Sequence, residues 1–131
     1  MRDYEAYSEQ FEQASIDPAD FSHIDHIGVA WTLLGKYEFL DAMVIYSKSI
    51  KAIADKAGVP GKFNLTITIA FLSLIAERRK HSDTNDFSVF IAGNEDLLDG
   101  NPLANWYSKA RLSVDVAREV FLMPDIKNGL S

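Results

Sequence analysis

At 131 residues, 47% hydrophobic and 11% aromatic, the chain is long and apolar enough for one domain with a real core, and too apolar for a disordered segment. Its 19 acidic side chains outnumber 13 basic ones, and the resulting charge of −6 argues against nucleic acid as a partner. There is no cysteine, which excludes disulfides, thiolate metal sites and a cysteine nucleophile.

The first residues, "MRDYEAYSEQFEQ", are polar and acidic and do not read as a signal peptide; with the lack of cysteine they lead us to expect a cytoplasmic protein. Residues 3–14 read as a short polar helix with Tyr4, Tyr7 and Phe11 on one side, and residues 1–17 as loosely attached. Asp17-Pro18 begins a turn. Ser22 is then a good N-cap, with Asp25 three residues on, and the next helix is expected to run to about Leu34 and end at Gly35. Over 38–57, Phe39, Ala42, Met43, Tyr46, Ile50, Ile53 and Ala57 recur at spacings of three and four, one apolar stripe facing a core, with Gly58 and Pro60 as the stop.

Residues 65–80 are locally ambiguous. "LTITI" alternates like a strand, yet the segment continues through "AFLSLIAERRK" without glycine or proline, a length ordinary for a helix. Asn64 suits an N-cap and Arg78, Arg79 and Lys80 suit the negative end of a helix dipole, so a helix is predicted. It is apolar nearly all round and belongs mid-bundle. The uncharged run at 63–76 is too short to cross a membrane, which takes about 20 apolar residues. A short helix is predicted at 86–92, another capped by Asn101 with Pro102 at its first position, and a last one, "VDVAREVF", capped by Ser113 and stopped by Pro124; residues 126–131 read as a loose tail.

The chain has three histidines, and His23 and His26 stand three apart at the start of the second helix. At about 100° per residue they fall on the arc that carries Ile27, Ala30, Trp31, Leu33 and Leu34, so the pair is expected to point inward. Three readings compete: rings that merely satisfy the core, the polar floor of a small-molecule pocket, and a metal site. The last needs further ligands that no cysteine can supply. No G-x-S-x-G, P-loop or G-x-G-x-x-G motif occurs, so no reaction is named and enzymatic activity is left open. "ERRK", 77–80, reads as dipole compensation before an anion site.

Three blocks carry a resemblance: "FSHIDHIGVAW" at 21–31, "GVPGKFNLTITIAFLSLIAER" at 58–78 and "YSKARLSVDVAREVFLMPD" at 107–125. With them the chain resembles a family of small uncharacterised bacterial proteins that share an F-x-H-x-x-H…V-A-W block and a G-x-P-x-K-[YF]-[HN]-x-T-x-T block. Members often carry Tyr-His, an acid and then Thr in the second block. Here those positions are Phe63, Asn64, Leu65 and Thr66, so the third histidine is missing. Asn64 is a poor transition-metal ligand, and no metal is assigned. The resemblance implies an all-α fold with the first two blocks close in space.

The expectation is therefore one all-α domain, 1–131: a small bundle of about three main helices with short N- and C-terminal helices. In an up-and-down arrangement the starts at 22–26 and 62–66 share an end. That places His23, His26, Asn64, Thr66 and Thr68 around one pocket for a small molecule, with no cofactor assigned. The alternative is a non-catalytic interaction or accessory domain acting as a homodimer. Neither nucleic acid nor membrane is expected as a partner.

Overall fold

The computed structural model describes residues 2–126. Among them are seven helices and no strand: α1 (Tyr4–Glu12), α2 (His23–Lys36), α3 (Phe39–Lys56), α4 (Leu65–Lys80), α5 (Phe87–Ala92), α6 (Lys109–Ser113) and α7 (Asp115–Glu119). The fold is all-α, as its apolar periodicities require. "LTITI" lies in α4, whose first turn is closed by the Asn64 Oδ1 accepting from the Ile67 N–H at 2.9 Å. Once capped, sixteen residues without a breaker favour the helix over the local strand pattern.

α4 is the central element. Thr66, Leu72 and Ile75 are fully buried, with Thr68, Phe71 and Leu74 close to it, and α2, α3 and α7 pack around them. α3 lays one face on this core through Ala42, Tyr46 and Ser49, while Leu40 and Val44 stay exposed. Phe87 and Phe90 of α5 close the other side against the Trp31 ring of α2, centroids 5.7 and 6.0 Å apart.

The N-terminal segment is not loose. Tyr4, Tyr7, Phe11 and Ile16 are core residues. Their anchor is Asp25, which is buried and accepts from the Ser22 N–H at 2.9 Å and the Tyr4 hydroxyl at 2.8 Å, with the Arg2 Nε 3.2 Å away. Burial raises the Asp25 pKa, but the donors from Ser22 and Tyr4 and the Arg2 charge outweigh it and hold the carboxyl below its usual range. One residue thus caps α2 and ties α1 to it.

Two further boundaries differ from expectation. α2 runs through Gly35 to Lys36 and is closed at Tyr37. Gly28 and Gly35 lie seven residues apart on one face, and each has a neighbour's side chain against bare backbone. A Cβ at Gly28 would overlap the Tyr4 ring, and one at Gly35 would overlap the Arg79 guanidinium. Close approach outweighs a propensity cost of about 1 kcal/mol for each glycine. At the C-terminus, residues 102–106 form turns instead of a helix, and "VDVAREVF" is not one helix capped by Ser113. Ser108 caps α6, Ser113 ends it, and α7 is a separate single turn. From Phe121 to Ile126 the chain is an extended strap. Tyr107 Oη donates to the Leu122 carbonyl at 2.8 Å, Ser108 Oγ to Asp125 at 2.6 Å, and the Ile126 N–H to the Trp106 carbonyl. The tail expected at 126–131 otherwise lies outside the described residues.

Candidate functional site

The starts of α2 and α4 do share an end of the bundle. Between them, with α3 as the third wall, is a cleft of about 660 Å³. His23, His26, Asn64 and Thr68 line it; Thr66 does not. Successive odd or even residues two apart on a helix point about 200° apart, so Thr66 and Thr68 cannot face the same side. Thr66 is fully buried on the opposite side, where its hydroxyl donates to the Val120 carbonyl at 2.7 Å and accepts from the Leu122 N–H at 3.0 Å. It holds the C-terminal strap.

The two histidines also differ. His23 is exposed at the mouth, with its Nε2 2.9 Å from the Leu97 carbonyl and its ring 5.9 Å from that of Phe71. A carbonyl only accepts, so Nε2 carries the hydrogen and Nδ1 keeps a lone pair in the neutral ring. The inward orientation read from the helical arc therefore holds for His26 and not for His23. The His26 ring is half-buried and lies 4.2 Å from the Phe21 ring and 6.4 Å from that of His23. Burial, with a smaller push from His23, lowers its pKa to about 4, so it is neutral at pH 7.

The remaining polar groups are not equally free. Asn64 donates from Nδ2 to the Leu112 carbonyl at 2.8 Å while its Oδ1 caps α4. It is a brace between α4 and α6. Thr68 donates to the Asn64 carbonyl at 2.7 Å and keeps only accepting capacity. Tyr46, from α3, has a different status. It is 2% exposed, lies in the cleft wall, and its hydroxyl has no hydrogen-bond partner among the described residues. Burial alone pushes its pKa up. His26 has no hydrogen-bonded partner among them either.

Sequence reasoning missed Tyr46, Phe21 and Phe71. For Tyr46 one signal was available: on the stripe of Phe39, Ala42, Met43, Ile50, Ile53 and Ala57 it is the single residue with a polar tip. Apart from Asn101 and Lys62 the rest of the wall is apolar, chiefly Ile50, Ile53, Ile67, Leu103 and Leu112. Lys62 is its one charged residue, and no carboxylate lines it. Among the described residues no three His, Asp or Glu side chains gather as a metal site, and none of the helices is long and apolar enough to cross a membrane. Ser22, next to His23 in sequence, spends its hydroxyl on Asp25 at 3.0 Å. The arrangement can donate to and accept from a bound molecule. A ring with a pKa near 4 is a poor proton donor or acceptor at pH 7.

Comparison with family models, curated proteins and solved structures finds no match to this chain.

Proposed function

We propose that the protein binds a small, uncharged or weakly acidic molecule in the cleft of His23 and His26, with an apolar body against α3 and α4 and a hydrogen-bonding head at His26 and Tyr46. One observation carries this reading: two polar side chains in the wall of a single cleft, the tip of buried Tyr46 and the half-buried His26 ring, have no hydrogen-bond partner among the described residues. Neither group is among the unpaired polar atoms shielded from solvent, so both face the open space of the cleft. A ligand that supplies both partners forms two directed bonds in a largely apolar wall. A wall with Lys62 and no carboxylate supports a ligand of charge zero or one negative. His23, Asn64 and Thr68 frame this site; Thr66 is left out of it. No reaction is assigned. The resemblance to the bacterial family and a cytoplasmic location belong to the same proposal.

The test is a thermal-shift screen of uncharged and weakly acidic fragments, with binders mapped by the side-chain resonances of His26. The expected result is a fragment that raises Tm and shifts the His26 ring, with affinity reduced roughly tenfold in Tyr46→Phe by loss of one buried hydrogen bond. Tyr46→Phe itself should stay within about 1 kcal/mol of wild-type stability, because the hydroxyl has no bond to another described residue to lose. A Tyr46→Phe destabilised by more than about 1 kcal/mol, or fragments that bind only elsewhere, would overturn the reading.

A second reading, a non-catalytic accessory domain that pairs with itself, is favoured by a different observation. Val114, Val116, Val120, Phe121 and Met123 are all exposed within ten residues of one another. Such a run on a monomer is a candidate contact surface. Light scattering across a concentration series tests it: a dimer dispersed by Phe121→Ser and Met123→Ser supports the reading, and a monomer at every concentration removes it.

A further inference from the structure

The far end of α4 holds a cation without a counter-ion. Arg78 and Arg79 are neighbours in the last turn. Arg78 is fully engaged: both its terminal nitrogens donate to Asp96, at 3.0 and 2.8 Å, and one also reaches Asn94. Arg79 forms no ion pair among the described residues. Its guanidinium lies 4.1 Å over the Trp31 ring and rests on the bare backbone of Gly35. Its Nη1 is shielded from solvent and has no acceptor, and the indole N–H of Trp31 beside it is in the same position. Burial pulls the Arg79 pKa down, with only Glu5 acting the other way. A flat cation is thus held in one orientation by an aromatic face and a glycine, next to a second unpaired donor.

Beside it opens a cleft of about 680 Å³ whose apolar wall is Leu34, Phe39 and Ala76. Glu38, Glu77 and Lys80 also line it. We infer that this cleft binds a small organic monocarboxylate, with the carboxylate on Arg79 and the apolar part against Leu34 and Phe39. The guanidinium fork matches a carboxylate in geometry and charge. The two glutamates disfavour a second negative charge, which argues against a phosphate. This site is separate from the cleft of His26 and does not depend on it.

Two-dimensional NMR of the full chain tests the inference, because the protein has two tryptophans and Trp106 serves as the internal control. Benzoate should shift the Trp31 indole resonance saturably and leave that of Trp106 in place. Benzyl alcohol, with the same ring and no charge, should bind roughly tenfold or more weakly. Inorganic phosphate should give no saturable shift. Arg79→Gln should abolish the response. Arg79→Lys, which keeps the charge and loses the fork, should weaken it, as should Gly35→Ala, which displaces the guanidinium. Tyr46→Phe should leave it unchanged. The inference is overturned if Arg79→Lys binds benzoate as the wild type does, if phosphate competes better than benzoate, or if the response follows Tyr46 instead of Arg79.

Discussion

The two ends of α4 carry clefts of nearly equal size, about 660 and 680 Å³, and opposite chemistry. At the N-terminal end the wall is almost uncharged, and several of its polar groups are spent within the fold: Asn64 on Leu112, Thr68 on the Asn64 carbonyl, His23 on Leu97. Tyr46 and His26, with the Lys62 and Asn101 side chains, lack partners there among the described residues. At the C-terminal end the wall is charged on both signs, and Arg79, the more buried of its two cations, has a shielded nitrogen without an acceptor among the described residues. Volume therefore says little about what either cleft takes. Which polar groups are left over says more, because every leftover group lowers stability unless something outside the chain supplies its partner.

The strongest way to break this contrast is to remove a group that is satisfied. Thr66→Val keeps shape and deletes both bonds to the strap, leaving the Val120 carbonyl and the Leu122 N–H without their partner in the core. A loss of about 3 kcal/mol is expected in urea denaturation, with faster hydrogen exchange at Leu122. A loss near zero would mean the strap is not held by Thr66, and Thr66 would again be available to a ligand.

Acid should separate the two ends next. His26 has a pKa near 4 in the fold and about 6.5 when unfolded. The unfolded chain therefore binds the proton first, and stability is lost as pH falls from about 6.5 towards 4. The loss amounts to about 2 kcal/mol at pH 5, from 1.36 kcal/mol per pKa unit. His26→Phe should flatten this part of the profile. Asp25 acts lower: its carboxyl is held below the usual range, so its contribution is present above the unfolded pKa of 3.8 and fades only beneath it. Arg79 does not titrate in either window. A His26→Phe profile that still falls between pH 6.5 and 5 would assign the effect to another group and remove the case for a neutral, desolvated ring.

How far all this could be read in advance follows from the physics of each residue. α2, α3 and α4 were legible because their signals are local: Ser22 with Asp25, Asn64 as a cap, and apolar stripes at helical spacing. The shared end of His26, Asn64 and Thr68 followed from alternation of helix direction. Thr66 was legible too, since helix phase alone separates it from Thr68, but pattern placed both at the site. Tyr46 was hidden because a tyrosine in a packed stripe and one beside a void have the same spacing. Arg79 was hidden for a tertiary reason: "ERRK" suits a helix C-terminus equally at both arginines, and what distinguishes them is Asp96, which reaches Arg78 alone. The packing of α1 was underestimated because its anchor, Asp25, looks in sequence like a cap and nothing more.

The smallest expected effect is the most discriminating, and it compares two glycines. In Gly28→Ala the new methyl meets the Tyr4 ring, which is buried in the core and bonded to Asp25, so it cannot retreat. Overpacking of about 2 kcal/mol should exceed the helix-propensity gain of about 1 kcal/mol. In Gly35→Ala the methyl meets the far end of a flexible arginine, with Cζ 2.9 Å away. The guanidinium can swing out, giving up its stack on Trp31 but regaining water for an unpaired charge. Loss of the stack, about 1 kcal/mol, and the gain in propensity should nearly cancel, so stability stays within about 1 kcal/mol of wild type while the Trp31 environment changes. Chemical denaturation followed by Trp31 fluorescence reads both quantities in one experiment. A Gly35→Ala variant as damaged as Gly28→Ala would make Arg79 a strut of the fold. A variant of unchanged stability would mean that the buried cation is not held there for stability, which is what a binding residue requires.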